Sequence, residues 1–511
     1  MKKVLQFLFH RVVIVAVFIA IQVLILVGII WRFNNYFVYF YAFSILLSVL
    51  VLLWIINNRS NPAYKIAWII PILLFPIFGG LFYLMFGGNN LTQKTRSKMR
   101  ASEEKAYSLL EPYNSIVEEI EVQNREAANQ SRYITQYAHC PPFRETSSEF
   151  LPIGEVKFER MVEELKKAEH FIFLEYFIIQ EGKMWNTILE ILKEKAAQGV
   201  DVRVMYDDVG CIMTLPYKYN EKLESMGIKC CVFNPFIPIL SSKLNNRDHR
   251  KICVIDGWVG FTGGINLADE YINAYEKHGH WKDCAILLKG EGVWSLTLMF
   301  LSIWNYIRPT DTGYDCFRPS LYQKQEIEQD GYVQPFTDSP LDGETVGRTV
   351  YLNLINKAQR YVYIATPYLI IDNEMITALT VAAKSGVDVR IITPHVADKW
   401  FVHAVTRAYY DVLVDAGVKI YEYTPGFIHA KTFAVDDEYG VVGTINLDYR
   451  SLYLHFECGA WLYQTKSILD VKEDYLKTLE KCQEITAEQC RSVPWFVRLC
   501  RAVLRVFAPL M

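Results

Sequence analysis

His249-Arg-Lys251-Ile-Cys-Val-Ile-Asp256-Gly257, followed by Gly263-Gly264-Ile-Asn266, returns later in the chain as His429-Ala-Lys431-Thr-Phe-Ala-Val-Asp436-Asp437, followed by Gly443-Thr444-Ile-Asn446. In both copies Lys stands at +2, Asp at +7, Gly at +14 and Asn at +17 from the His. One such pattern is a weak signal, but two in register are not chance. The apolar run inside each copy reads as a strand, on which residues two apart share a face, so each His stands beside its Lys. Asp256-Gly257 and Asp436-Asp437 are turn sequences that send the chain back and bring Asn266 and Asn446 beside the His and Lys. One His, one Lys and one Asn suit an oxygen-rich anion. Two such sets facing each other across a pseudo-twofold axis would surround one phosphate.

The repeat extends well beyond the motifs. Ala168–Leu174 resembles Ala358–Ile364, Gly199-Val-Asp-Val-Arg203 recurs as Gly386-Val-Asp-Val-Arg390, and Met226–Lys229 recurs as Ala416–Lys419. The offsets are 190, 187 and 190 residues. Short β-branched runs alternate with helical runs closed by glycine, as in Phe171–Phe177, Met184–Gln198 with Gly199, and Val200–Tyr206. This alternation predicts an α/β fold of two homologous halves, 143–325 and 326–490. The halves differ most before the first motif, where extra residues form the apolar loop Phe233–Leu240. We expect that loop to touch the bilayer or line an acyl entry.

Outward from the halves the composition changes. Residues 1–100 carry ten Lys or Arg and no acid, so the net charge of −3 over 511 residues hides an acidic body at −13. An acidic body argues against nucleic acid as a partner. Three apolar stretches, Val12–Trp31, Tyr36–Ile56 and Ile66–Phe86, each run about 20 residues, enough for a hydrocarbon core of roughly 30 Å. Residues 1–90 therefore read as a multi-pass membrane anchor. The third stretch, broken by Pro71, Pro76, Gly79 and Gly80, is a candidate to dip in and return. With two spans, Lys2, Lys3, Arg11, Arg59, Lys65 and the cluster from Lys94 to Arg100 lie on one side and Arg32 on the other, which places the body in the cytoplasm. Residues 91–142 read as a helical linker or stalk. Residues 491–511 read as an amphipathic helix, with Arg498, Arg501 and Arg505 opposite Trp495, Leu499 and Val503, resting on anionic lipid or packed on the body. The eleven cysteines show no C-x-x-C pair or zinc-type spacing and read as reduced thiols.

The paired H-x-K-x-x-x-x-D motifs resemble those of the phospholipase D superfamily, and within it the chain is similar to the bacterial cardiolipin synthases. The similarity runs through Leu84-Met-Phe86-Gly87, Met205-Tyr-Asp207-Asp208-Val-Gly210, Asn246-Arg-Asp-His249-Arg-Lys251 and Trp281-Lys-Asp283. It continues through Ala365-Thr-Pro367-Tyr368, Gly443 to Ser451 and Phe456-Glu457. Asp248 and His455 stand where the family usually has Asn, beside motif residues without replacing them. The resemblance implies phosphatidyl transfer between two phosphatidylglycerol molecules, giving cardiolipin and glycerol with no metal or other cofactor. It implies His249 as nucleophile and His429 as acid/base, with Lys251, Lys431, Asn266 and Asn446 on the phosphate oxygens. Asp283 and Glu457 match positions that cross over to orient the opposite histidine. Asp256 and Asp436 complete the motif and are carried with the catalytic set, although strand parity puts them on the turn. A hydrolase, or a transphosphatidylase using another alcohol, would use the same chemistry.

Overall fold

The computed structural model describes residues 37–510 except 59, 76–78, 88–92, 237–244, 310–312, 324–326 and 328–329, together with scattered positions between 17 and 32. Each half is built on one mixed sheet. The first runs in the order Thr146–Leu151, Ala285–Gly290, Val259–Gly263, Lys251–Ile255, Phe171–Tyr176, Asp201–Asp207, Lys229–Phe233. The second repeats that order, as Tyr332–Asp338, Glu457–Tyr463, Tyr439–Gly443, Thr432–Val435, Tyr361–Ala365, Asp388–Pro394, Lys419–Tyr423, and adds Cys482–Ile485 at its edge. The three strands separated by helices pair in parallel, while those joined by hairpins pair antiparallel. This is the α/β alternation expected of two homologous halves. Gly199 at φ +91° and Gly386 at φ +97° release the chain from the helix before the second parallel strand, a conformation that a Cβ would strain.

The motif hairpins show how the aspartates are used. Asp256 and Gly257, at φ 50° and 63°, and Asp436 and Asp437, at φ 54° and 63°, form two-residue turns of the right hand for a twisted hairpin. The Asp256 carboxylate accepts the backbone N–H groups of Glu169, His170 and Phe171 at 2.9, 2.8 and 2.9 Å. Asp436 accepts those of Gln359, Arg360 and Tyr361 at 2.7, 2.9 and 2.8 Å. Each motif aspartate therefore clamps the hairpin turn to the start of the neighbouring strand, at the end of the strand away from the histidine.

The charged stretch after the head is helical but docked, in contrast to a free stalk. Helix Gln93–Tyr107 packs on Val293–Ile307, and Arg125–Tyr137, capped by the Asn124 side chain, packs on Val346–Lys357. Met99, Ala106, Tyr107, Leu110, Ile120 and Ile134 are buried in a core to which both halves contribute. The surface that covers these side chains comes from residues far along the chain.

Of the head, most of Val12–Trp31 lies outside the described residues. Helix Phe37–Asn57 is 21 residues with no charge. The portion of it whose side chains are all described, 41–57, is shorter than a crossing, and among the described residues no helix is long and apolar enough to cross a membrane. The third apolar stretch is two short helices, Pro62–Leu74 and Gly79–Phe86, packed on each other and on Phe37–Asn57. A Cβ on Gly79 would sit 2.4 Å from the Ile72 Cα, so glycine permits that contact. The apolar loop before the first motif is described only to Phe236, whose N–H donates to Asp208 at 2.5 Å; the rest of it lies outside the described residues.

Replacing Asp256 with Ala leaves three N–H groups, one of them buried, without their acceptor and puts Ala at positive φ. It should lower the unfolding free energy by about 3 kcal/mol in a urea titration. A loss under about 0.5 kcal/mol would contradict the clamp.

Candidate active site

Each motif histidine sits just before its strand, where the backbone leaves one half and bonds to the other. His249 N–H donates to the Phe456 carbonyl at 2.9 Å, and His429 N–H donates to the Lys282 carbonyl at 2.6 Å. The residue after each of those carbonyls is an acid. Glu457 therefore reaches His249 Nδ1, at 2.9 and 3.0 Å from its two oxygens, and Asp283 Oδ2 reaches His429 Nδ1 at 2.6 Å. Both crossed pairs anticipated from the resemblance are present, and all four side chains are buried. Among the described residues neither Nε2 has a protein partner. The carboxylate contacts favour Nδ1 as the protonated nitrogen and leave Nε2 for chemistry, with Lys431 Nζ also 2.8 Å from His429 Nδ1.

The carboxylates are held in different ways. The Thr444 hydroxyl donates to Glu457. At the equivalent position stands Gly264, where a Cβ would lie 2.1 Å from Asp283 Oδ1. Thus one half supports its acid with a hydroxyl and the other makes room for it with a hydrogen. Thr444 was visible in the sequence only as one of two residues that differ between otherwise matching Gly-x-Ile-Asn strings.

His249, His429, Asn266 and Asn446 line one cavity of about 670 Å³ between the halves. Tyr271 and Trp281, with ring centroids 5.6 and 5.5 Å from His429, wall one end; Phe177, at 5.0 Å from His249, flanks the other. Asn266 is partly engaged, accepting from Ile178 N–H at 3.0 Å and donating to the Tyr271 hydroxyl at 2.7 Å. Asn446 keeps a buried Oδ1 without a partner. Lys251 and Lys431 lie behind the cavity wall, each 1% exposed and bonded to the carbonyl of its own histidine. They were expected on the phosphate oxygens; the structure places them one layer back from the cavity. Asp256 and Asp436 are not in the cavity.

Burial, with the clustered cations second, sets the protonation states. Burial, and then the neighbouring Lys431, lower His429 to about 4, against the opposing pull of Asp283. Burial and Lys251 likewise hold His249 well below its usual value. Burial lowers Lys251 to about 7 and Lys431 to about 8. Both imidazoles are therefore neutral near pH 7 in the empty cavity, and an anionic ligand between them would favour their protonation. Among the described residues, His249, His455 and Glu457 form the one group that could hold a metal ion, with ligand atoms within 4.8 Å of one another. Two of its members are already bonded to each other.

Comparison with known proteins places this arrangement. Residues 161–278 and 351–479 match the family described as "Cardiolipin synthase, PLD-like domain". The chain belongs to the cardiolipin synthase family. Residues 46–88 match a second family, "Phospholipase_D-nuclease N-terminal". A cardiolipin synthase of Geobacillus kaustophilus is 38% identical over 92% of the chain and 94% of its own length. That of Halalkalibacterium halodurans is 36% identical over 92% and 94%. Among solved structures, the phosphatidylserine synthase of Haemophilus influenzae aligns with a TM-score of 0.57 at 16% identity, over 75% of this chain and 99% of that one, which supports the fold. Family membership makes the chain a phosphatidyltransferase of the phospholipase D superfamily.

The pKa directions give a pH dependence. Both lysines are charged below about 7, and both charges are lost as pH rises through about 8. The kcat/KM of phosphatidyl transfer, which reports the free enzyme, should fall at least about tenfold per unit above that range. A profile flat to pH 9.5 would contradict the role of these charges.

Proposed function

We propose that the protein joins two phosphatidylglycerol molecules into cardiolipin, releasing glycerol, through a phosphohistidine intermediate. The observation that carries this reading is the pair of imidazoles opening into one cavity, each with Nδ1 on a carboxylate of the opposite half. Nε2 of one imidazole attacks phosphorus, the P–O bond to glycerol breaks, and the other imidazole supplies the proton that glycerol takes away. The second imidazole, now neutral, removes the proton from the free hydroxyl of another phosphatidylglycerol. That oxygen attacks phosphorus, the P–N bond breaks, and cardiolipin leaves. Asn266 and Asn446 donate to the non-bridging oxygens, and Lys251 and Lys431 supply positive charge behind them as charge develops. One phosphodiester replaces another, so the exchange consumes no nucleotide and transfers no electrons.

The same reading seats the head in a membrane, with the body on the cytoplasmic side. Helix Phe37–Asn57 exposes Val38, Tyr39, Phe43, Leu46, Leu50, Leu53 and Trp54, apolar surface around much of its circumference that water would not favour. The 13- and 8-residue helices that follow are each too short to cross and pack as a returning pair. That arrangement favours two spans, and with two spans the loop cations lie almost entirely on the side of the body. The C-terminal helix Trp495–Phe507 turns its arginines inward: Arg505 stacks over Tyr409 at 4.4 Å, and Arg498 and Arg501 line a cleft against the body. Trp495, Phe496, Leu499 and Val503 remain 77, 55, 57 and 51% exposed, so its lipid-facing side is the apolar one.

Incubated with phosphatidylglycerol alone, the purified protein should yield cardiolipin and glycerol in equal amounts. Phosphatidic acid as the only product would replace transfer by hydrolysis. His249→Ala and His429→Ala should each lower turnover at least about a thousandfold. Full activity in either would rule out the two-histidine mechanism.

A further inference from the structure

The pseudo-twofold axis is broken at two positions facing the cavity. Trp281 stands two residues before Asp283 and lies against His429; its counterpart, two residues before Glu457, is His455, with its ring centroid 5.6 Å from that of His249. Glu270 stands four residues after Asn266; its counterpart, four after Asn446, is Arg450. An indole is replaced by an imidazole and a carboxylate by a guanidinium, both at the His249 end.

The two ends differ accordingly. At the His429 end Glu270 is satisfied by Lys277 at 2.7 Å and by the Tyr275 hydroxyl at 3.1 Å, among aromatic rings. At the His249 end the His455 side chain is 10% exposed, and both its ring nitrogens are buried without a hydrogen-bond partner, Glu457 Oε1 lying 3.9 Å from Nδ1 while that carboxylate is taken up by His249 and Thr444. The Arg450 guanidinium, half-buried at the same wall, makes no hydrogen bond among the described residues. Arg247 is buried beside it and repels it, its own bonds going to Asp207, Asn234 and Asn246. Asp448 is the acid facing this group; it is occupied by the Ser451 N–H at 2.9 Å as a helix cap and by the Asn446 amide. Unpaired donors beside a second buried guanidinium are costly in an empty cavity and fit an anion.

We propose that Arg450 and His455, backed by the charge of Arg247, form a second phosphate subsite that holds the phosphodiester of the acceptor lipid while its free hydroxyl reaches the reacting phosphorus. This inference rests on the transfer reading above and adds how the acceptor is chosen: an anionic lipid alcohol carries a second phosphate one glycerol away from its hydroxyl, and glycerol or water carries none. An acceptor held there presents its hydroxyl on the His249 side of the phosphorus. In-line displacement then makes His249 the base and His429 the imidazole that carries the phosphatidyl group, the reverse of the roles implied by the resemblance.

The test uses one donor and two acceptors. Full-length enzyme in phosphatidylglycerol vesicles receives labelled glycerol, and cardiolipin formation is measured together with incorporation of label into phosphatidylglycerol. Both reactions pass through the same intermediate, but only the first needs the second phosphate. Arg450→Gln should lower the ratio of cardiolipin formation to glycerol exchange about tenfold or more through a raised KM for the lipid acceptor, and Arg450→Lys should recover part of it. Glycerol exchange in the variant also reports that the protein is folded. A parallel fall of both reactions in Arg450→Gln, or no change in the ratio, would overturn the subsite. Absence of cardiolipin from the wild-type enzyme would instead overturn the transfer reading.

Discussion

Neither half of this protein can orient its own histidine. The carboxylate on each Nδ1 comes from the opposite half, and so does the backbone carbonyl that holds the same histidine in place. The two bonds are linked, because the accepting carbonyl and the acid belong to consecutive residues: Phe456-Glu457 on one side and Lys282-Asp283 on the other. A shift of one half against the other would therefore break a backbone bond and an imidazole–carboxylate bond together, at both histidines. The reacting geometry is thereby made a property of the interface between the two repeats, and the sheets, clamped by Asp256 and Asp436, serve to keep that interface in register.

Charge is arranged on the same plan. A chain with a net charge of −3 and an acidic body concentrates its important cations in one buried place. Lys251 and Lys431 sit a layer behind the cavity, where burial weakens their hold on protons; burial first, and their charge second, hold both imidazoles neutral near pH 7. The repeat supplies the two matched histidines that a two-step exchange requires. Its departures from symmetry, Arg450 for Glu270 and His455 for Trp281, make the two ends of the cavity chemically unlike. On the proposed reading, duplication would account for the reaction, and divergence for the choice of acceptor.

Much of this was legible in the sequence. The hairpins follow from a period-2 run ended by Asp-Gly or Asp-Asp, and the paired sheets follow from the offset repeats. The pairs Asp283–His429 and Glu457–His249 were reached through family resemblance, since intervals of 146 and 208 residues carry no local physics. The lysines were less legible. Strand parity put each beside its histidine, which is correct, but the histidine precedes the strand and the lysine turns back to its carbonyl and away from the ligand space. The docking of residues 93–137 was also hidden, because an amphipathic stripe announces burial without naming its partner. Thr444 and Gly264 carried no role in the sequence beyond their place in the matching strings; their part in holding or admitting an acid depends on a contact across the sheet.

The covalent route is tested most directly by trapping it. Full-length enzyme mixed briefly with phosphatidylglycerol labelled at phosphorus, quenched in alkali to preserve phosphoramidate bonds and digested, should yield one labelled histidine peptide, that of His429, and lose the label when unlabelled phosphatidylglycerol is added before the quench. Cardiolipin forming at the normal rate with no labelled histidine at any time would contradict the mechanism, because it would mean that the two imidazoles never share the phosphorus between them.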